Sequence, residues 1–322
     1  MKKTIHVAAA VICGEDGRIL LGQRGPDSFY PGYWEFPGGK LEQAETPAQA
    51  LIRELHEELA IEIRHYRPWI VRRHNYEHAD VRLHFFVVTG WSGAVQARVH
   101  ADLLWATAAE AQILAPMLPA NAPILKMLQL PSLMAVTDTA RYGREKQLHC
   151  IAAALQRGIC LIQIREKTMA SADMQTFAAE VSALCRPYQA IVVLNGPVAQ
   201  ARCYGMAGVH LTAVKLHEQT TRPDCRWVGA SCHSEADLLQ AAELGLDYVV
   251  LGSVLETATH PGQSGMGWQV FAGLAQRSAL PVFAIGGMNP ALLAEAQRRG
   301  AHGVAGVRCF WEVAETVSSP GV

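Results

Sequence analysis

The chain has 322 residues, half of them hydrophobic and 18% charged, with a formal net charge of −1. That is enough sequence for two domains with separate cores. So even a charge balance excludes a broad nucleic-acid surface, so a nucleotide partner is expected as a small molecule at a local site, with no direct nucleic-acid binding. The eight cysteines, at 13, 150, 160, 185, 203, 225, 232 and 309, stand singly without a CxxC pair, as reduced core thiols of a cytoplasmic protein do. Lys2 and Lys3 precede an apolar run, but it contains His6 and passes into strand-like sequence, so no secretory signal is expected. No apolar run approaches the roughly 18 residues that span a bilayer, so no membrane partner is expected.

In chain order, residues 7–12 and 18–24 are β-rich runs around the turn Gly14-Glu15-Asp16-Gly17, which predicts a hairpin. Arg24 ends the second run, where it can meet a triphosphate or simply face water. The aromatics of Tyr33-Trp34-Glu35-Phe36-Pro37 either pack as core or stack on a base. They lead into the glycine pair Gly38-Gly39, which permits close backbone approach and can offer a carbonyl to a metal.

Thr46, Pro47 and Gln49 form an N-cap, a proline at the first helical position and the third member of a capping box, so a helix starts there. Leu51, Leu55 and Leu59 give it one apolar stripe. Glu54, Glu57 and Glu58, at i, i+3 and i+4, gather three carboxylates on another face. Such a face is either solvated or held together by a cation, and hard oxygen ligands at this density suit Mg²⁺ or Mn²⁺. Arg53 is spaced to hold Glu45 or a neighbouring carboxylate in orientation.

Gly39, Glu45, Arg53-Glu54-Leu55-His56-Glu57-Glu58 and Ala60-Ile61, at these spacings, resemble the Nudix box. The family has glycine where this chain has Ala60, which leaves a left-handed helix end without its preferred residue. The resemblance implies an α/β/α sandwich with a mixed sheet. It also implies metal ligation by Gly38, Glu54, Glu57 and Glu58, with Arg53 and Glu45 in support and Glu54 as the base. Between Trp91 and Trp105 much of the family carries a further glutamate. Here residues 96–102 contain none, and His100 or Asp102 stands in its place.

Trp34-Glu35-Phe36-Pro37-Gly38-Gly39-Lys40 and Pro119-Ala120-Asn121-Ala122-Pro123 look like the MutT-type 8-oxo-dGTP diphosphatases. By that likeness Arg24 and Phe36 contact substrate and Asn121 reads the purine edge, since an amide carries both donor and acceptor. As a residue between two prolines Asn121 also suits a turn or helix cap. The implied reaction converts a nucleoside triphosphate to monophosphate and pyrophosphate.

Prolines 119, 123 and 131 flank a helix-like piece at 124–129, which divides the chain into domains 1–130 and 131–322. Eight β-rich runs follow, at 133–137, 160–164, 190–194, 208–211, 227–230, 248–251, 282–285 and 303–306, alternating with helical or loop segments. That alternation predicts a (β/α)₈ TIM barrel, with functional groups where strands end. Gln163, Arg165 and Lys167 follow the second run, Asn195 the third, His233 the fifth, Thr257 and Thr259 the sixth, and Gly286-Gly287 the seventh. The glycine pair suits a backbone phosphate cradle for a phosphate-bearing ligand.

Val136-Thr137-Asp138, Gln163-Ile164-Arg165-Glu166-Lys167, Gly208-Val209-His210-Leu211 and Ala284-Ile285-Gly286-Gly287-Met288 resemble the thiamine phosphate synthase and thiazole tautomerase superfamily. Where the synthase has Asn-Asp this chain has Asn195-Gly196. The second metal-binding aspartate is replaced near Lys215, and His260 stands for a lysine. These departures remove the equipment for magnesium pyrophosphate, so synthase activity is not expected. Ala230-Ser231-Cys232-His233-Ser234 instead places a histidine where the tautomerase has its acid/base. Two alternatives stand beside nucleotide-pool sanitation. One is hydrolysis of thiamine-pathway pyrophosphates coupled to a tautomerase-like barrel. The other is a barrel that serves as a scaffold, for instance by holding a homodimer.

Overall fold

A computed structural model describes residues 4–76, 79–256 and 264–311. Contacts divide the chain into two compact units. One comprises Met1–Leu130 with Ala272–Val282 and Gln297–His302, the other Pro131–Phe271, Phe283–Ala296 and Gly303–Val322.

In the first unit the elements are β1 (Thr4–Ile12), β2 (Ile19–Gln23), β3 (Trp34–Glu35), β4 (Gly38–Lys40), α1 (Pro47–Leu59), β5 (Glu62–Asn75), β6 (Asp80–Ser92), β7 (Asp102–Ala106), α2 (Ala108–Gln112) and α3 (Ala122–Met127). They form a mixed sheet in the order β4-β1-β6-β5 and a second sheet in the order β3-β2-β7. The predicted hairpin of the first two runs does not form. β1 pairs antiparallel with β4 and parallel with β6, β2 pairs with β3 and β7, and a single bridge, Cys13 to Ile19, joins the two runs. Both edges of β1 are already taken, so the turn passes the chain from one sheet to the other.

Helix α1 begins as its sequence dictates. The Thr46 hydroxyl accepts from the Gln49 N–H and the Gln49 side chain returns to the Thr46 N–H, which closes the capping box. Leu51, Leu55 and Leu59 are fully buried against Ala8, Ala10 and Ile12 of β1 and Phe86 and Val88 of β6. Burying three leucines stabilises this seat by about 1.5–3 kcal/mol each. The helix ends at Ala60 in the left-handed conformation, φ 60°, with its N–H donated to the His56 carbonyl.

The second unit is a closed barrel. Its eight strands are β8 (Leu133–Val136), β9 (Leu161–Ile164), β10 (Ile191–Leu194), β11 (Gly208–Leu211), β12 (Trp227–Cys232), β13 (Tyr248–Leu251), β14 (Val282–Ala284) and β15 (Gly303–Gly306). They close in the order β10-β11-β12-β13-β14-β15-β8-β9, every predicted run supplying one strand. The overall class is mixed α/β with a TIM barrel, as the alternation required. Among the described residues no helix is long and apolar enough to cross a membrane.

Candidate active sites

In the first unit, β4 and α1 position the carboxylates. Gly39 lets Glu54 lie against the β4 backbone: a Cβ there would stand 2.2 Å from the Glu54 carboxyl carbon. Gly38, at φ 137°, would place a Cβ 2.1 Å from the Ala8 carbonyl oxygen, and it donates its N–H to Glu58 Oε2 at 2.9 Å. Arg53 Nε and Nη2 reach Glu45 Oε1 and Oε2 at 3.0 and 2.9 Å, a bidentate pair, and Nη2 also donates to the Lys40 carbonyl. Its Nη1 stands 3.0 Å from Glu54 Oε1 and 3.2 Å from Glu57 Oε2. One guanidinium thus holds three carboxylates, and its own pKa is raised, chiefly by Glu45.

The carboxylates here outnumber the cation that holds them. Burial pushes the Glu58 carboxyl up to about 7, with Glu35 and Glu54 adding to the push against His100 and the Gly38 N–H. Burial likewise raises Glu54, with Glu57 and Glu45 adding and Arg53 opposing. Hydrogen bonds from Arg53 hold Glu45 below its usual value. Among the described residues no three His, Cys, Asp or Glu side chains stand together as a preformed metal site. The reason is Arg53, which draws Glu54 and Glu57 to itself, while Glu58 turns to Gly38 and Glu57 stays 57% exposed. The donor set still fits a hard divalent cation: acidic oxygens that raise one another's pKa without full compensation are what such an ion neutralises.

Of the two candidates for the missing loop glutamate, the structure brings His100 inward and leaves Asp102 outside. The His100 side chain is 3% exposed, and its Nε2 lies 3.7 Å from Glu35 Oε1. Its ring fills the space beside Gly22, where a Cβ would meet Cδ2 at 2.2 Å. The exposed Asp102 uses a carboxylate oxygen on the Leu103 N–H.

On the substrate side, Arg24 donates to Glu35 Oε2 and to the Phe29 carbonyl, both at 2.6 Å, so it is held by the protein and does not reach outward. Phe36 is a correction: at 3% exposure it packs edge-on to Phe85, 5.8 Å between ring centroids, as a core residue. Asn121 is 4% exposed and sits at the N-cap of α3 without a side-chain cap hydrogen bond, so its amide does not serve as the predicted cap. Tyr76, whose hydroxyl interacts with the Ala120 backbone and with the charges of Arg24 and Glu35, links Arg24 to the Asn121 side of the site.

The barrel carries the second site, a cavity of about 510 Å³ at the carboxyl ends of the strands. Gln163, Arg165, Asn195, His233, Gly286 and Gly287 all line it. Lys167 does not: it is exposed and outside the lining. Thr257 and Thr259 lie outside the described residues. Asn195 Nδ2 donates to Gln163 Oε1 at 3.3 Å. His233 Nδ1 contacts the Gly252 carbonyl, which only accepts, so Nδ1 carries the proton and Nε2 is left to exchange one. Its backbone N–H is fixed by Asp237.

The cavity residues that the sequence motifs did not mark as site residues include His210, Ser231, Ser253 and Arg308. His210 bonds Ser231 Oγ at 3.0 Å and the Tyr248 hydroxyl at 3.3 Å, and burial drives its pKa down to about 3, so it stays neutral. Arg308 could have been found from its place directly after the last strand.

Two family profiles match the chain. The profile described as thiamine monophosphate synthase matches residues 133–310, and the NUDIX domain profile matches residues 8–127. The chain is 44% identical over 90 residues to an 8-oxo-dGTP diphosphatase of Proteus vulgaris, covering 28% of this chain and 80% of that protein. It is 42% identical over 124 residues to a CTP pyrophosphohydrolase of Escherichia coli, covering 38% of this chain and 90% of that protein. It is 29% identical over 188 residues to a putative thiamine-phosphate synthase of Aquifex aeolicus, covering 58% of this chain and all of that protein. The chain belongs to the thiamine monophosphate synthase family through its barrel and carries a Nudix hydrolase domain ahead of it.

Proposed function

We propose that residues 1–130 form a cytoplasmic, divalent-metal-dependent diphosphatase that converts 8-oxo-dGTP or a related nucleoside triphosphate to the monophosphate and pyrophosphate. The observation that carries this reading is the α1 face, where Arg53 pins Glu45 while Glu54 and Glu58 crowd against β4. Glu54, Glu57, Glu58 and the Gly38 carbonyl would hold Mg²⁺ or Mn²⁺. When bound, that ion offsets phosphate charge and lowers the pKa of the attacking water. Glu54 would take the proton of that water, burial having raised its carboxyl above the ordinary value for a glutamate. Arg53 fixes the carboxylates in position, Arg24 supports the substrate side through Glu35, and Asn121 presents both donor and acceptor to the base.

The test is pyrophosphate release from 8-oxo-dGTP, dGTP and CTP with Mg²⁺. An 8-oxo-dGTP rate no higher than that of dGTP ends the substrate assignment. A CTP rate above both moves the enzyme toward its CTP-hydrolysing relative.

For the barrel, the reading is a phosphate-bearing ligand held near Gly286-Gly287 without synthase activity. The sequence departures at Gly196, Lys215 and His260 support it, as does the absence of any carboxylate among the described residues lining the cavity. His233 would serve a proton transfer there through Nε2.

A further inference from the structure

Where the chain passes from the first sheet to the second, the first unit holds another cavity, of about 560 Å³. Glu15, Asp16 and Arg18 of the connecting turn line it, together with Trp91 of β6 and Trp105 of β7. None of Gly38, Glu54, Glu57 and Glu58 is in its wall, so it is distinct from the α1 site. The two indoles stand 6.0 Å apart between ring centroids and 19° from parallel. Both pack against the core beneath α1 yet stay partly exposed, which leaves aromatic surface for a ligand.

The charge of this wall is settled residue by residue. Arg18 is its cation, and it is occupied: Nη1 donates to the Trp105 carbonyl at 3.4 Å and Nε stands 3.6 Å from Asp16 Oδ2. Asp16 Oδ1 in turn accepts from the Arg18 N–H at 3.1 Å. Gly14 lets the turn close this tightly, since a Cβ there would lie 2.9 Å from Asp16 Oδ1 and 3.4 Å from Trp105 Cζ3. Burial raises the Cys13 thiol, also in the wall, so it adds no charge near neutrality. With Arg18 and Asp16 offsetting each other, Glu15 remains. Its exposed carboxylate pairs with no described residue, so the wall carries one uncompensated negative charge beside two indoles.

That combination selects a class of ligand. A phosphate-bearing molecule is repelled by Glu15, and a hard metal ion needs more oxygen ligands than one free carboxylate supplies. A cation whose charge is spread over carbon gains from every group present. The indole faces attract its charge, their apolar surface covers its methyl groups, and the carboxylate offsets what charge remains. We propose that Trp91, Trp105 and Glu15 form a further binding site in this unit, for a small free organic cation of the quaternary-ammonium kind. The site shares no residue with the α1 carboxylates or the barrel cavity and stands apart from the reactions proposed for them.

The experiment is calorimetric titration of the full chain with choline and with its neutral isostere, in which carbon replaces the ammonium nitrogen. It is run on wild type, Glu15→Gln, Trp91→Leu and Glu54→Gln, with melting curves to report folding. Wild type is expected to bind choline more tightly than the isostere by roughly two- to thirty-fold, the range for a cation over an indole. Trp91→Leu should lose that preference. Glu15→Gln should weaken choline by roughly two- to five-fold, as an exposed countercharge does, and because Glu15 is exposed this variant stays readable if Trp91→Leu fails to fold. Glu54→Gln should bind choline as wild type does. No choline binding, or choline held no more tightly than the isostere, overturns the cation site. Unchanged choline affinity in Glu15→Gln also overturns it, and affinity lost in Glu54→Gln places the cation on the α1 carboxylates instead.

Discussion

The two candidate sites, both proposed to meet phosphate, carry opposite charge. On α1, carboxylates crowd one another and a single arginine, Arg53, is shared among three of them. In the barrel cavity two arginines face the ligand space with no lining carboxylate among the described residues. As a polyphosphate site the first arrangement would need a cation, because acidic oxygens alone repel that ligand; the second already carries the countercharge a phosphate would meet. The contrast teaches that a phosphate ligand does not by itself specify the charge of its site. What specifies it is whether the phosphorus must be attacked, which calls for a cation and a base, or merely held.

The largest expected effect breaks this contrast at its catalytic end. Replacing Glu54 by Gln should lower kcat for nucleotide hydrolysis by roughly 10²–10⁴-fold, the usual worth of a positioned proton acceptor. Chelation with EDTA should abolish the same activity. A pyrophosphate-release assay checks both, and a Glu54→Gln enzyme at wild-type speed would move the base to another group. Next comes Arg53→Ala. Freed of their shared partner, Glu45, Glu54 and Glu57 lose their orientation, and the apparent affinity for Mn²⁺, read by titration, should fall on the order of 10–100-fold. Tighter Mn²⁺ binding would mean instead that the arginine mainly competes with the ion.

A smaller effect follows from Glu58. In the cation-free protein its carboxyl is raised to about 7 by burial, so between pH 4.5 and 7 the folded state keeps a proton that the unfolded chain has released. Stability should therefore fall as pH rises across that window and level off above it, and a Glu58→Gln variant should lack the fall. At pH 8 without divalent ions the variant should melt a few degrees higher than wild type, at roughly 2–8 °C per kcal/mol. Added Mg²⁺ should reverse the order, since only wild type gains fully from binding. Parallel melting curves from pH 4 to 8 would show that Glu58 is not the uncompensated charge.

How much of this was legible in the sequence depends on whether the signal was local. The start of α1 was readable because Thr46, Pro47 and Gln49 act within one turn, and the barrel because eight apolar runs repeat. The failed hairpin was a partner choice: nothing in residues 7–24 records that β4 and β6 occupy both edges of β1. β5 escaped notice as a strand. Its register shifts near Ile63, His65 and Pro68, and its arginines, break the alternation that marks one. At the α1 site, Arg53 with Glu57 is an i, i+4 contact of the helix, whereas Glu45 lies before its first turn. The burial of Phe36, the inward turn of His100 and the place of Arg308 beside a glycine turn arise from contacts between distant segments.

The smallest effect separates the two sites by the backbone beneath them. Both end on left-handed residues, but the barrel uses glycine at Gly286 and Gly287, where added carbon would collide, while α1 ends on Ala60 at φ 60° with a Cβ it does not need. A left-handed non-glycine residue costs about 1 kcal/mol. Ala60→Gly should relieve that strain and raise Tm by roughly 2–4 °C in a unit of this size. Part of the gain is offset, because glycine also gives the unfolded chain more freedom. Glu54 sits more than one turn before this cap, Glu57 and Glu58 lie in the last turn, and the His56 carbonyl keeps its bond to the residue 60 N–H, so hydrolysis rates should not change. A lowered Tm would mean that the Ala60 methyl makes packing contacts worth more than the strain it carries. A gain in Tm accompanied by lost activity would mean that the strained helix end holds Glu57 and Glu58 in place, tying cap and site together in a way the barrel's glycine turn does not require.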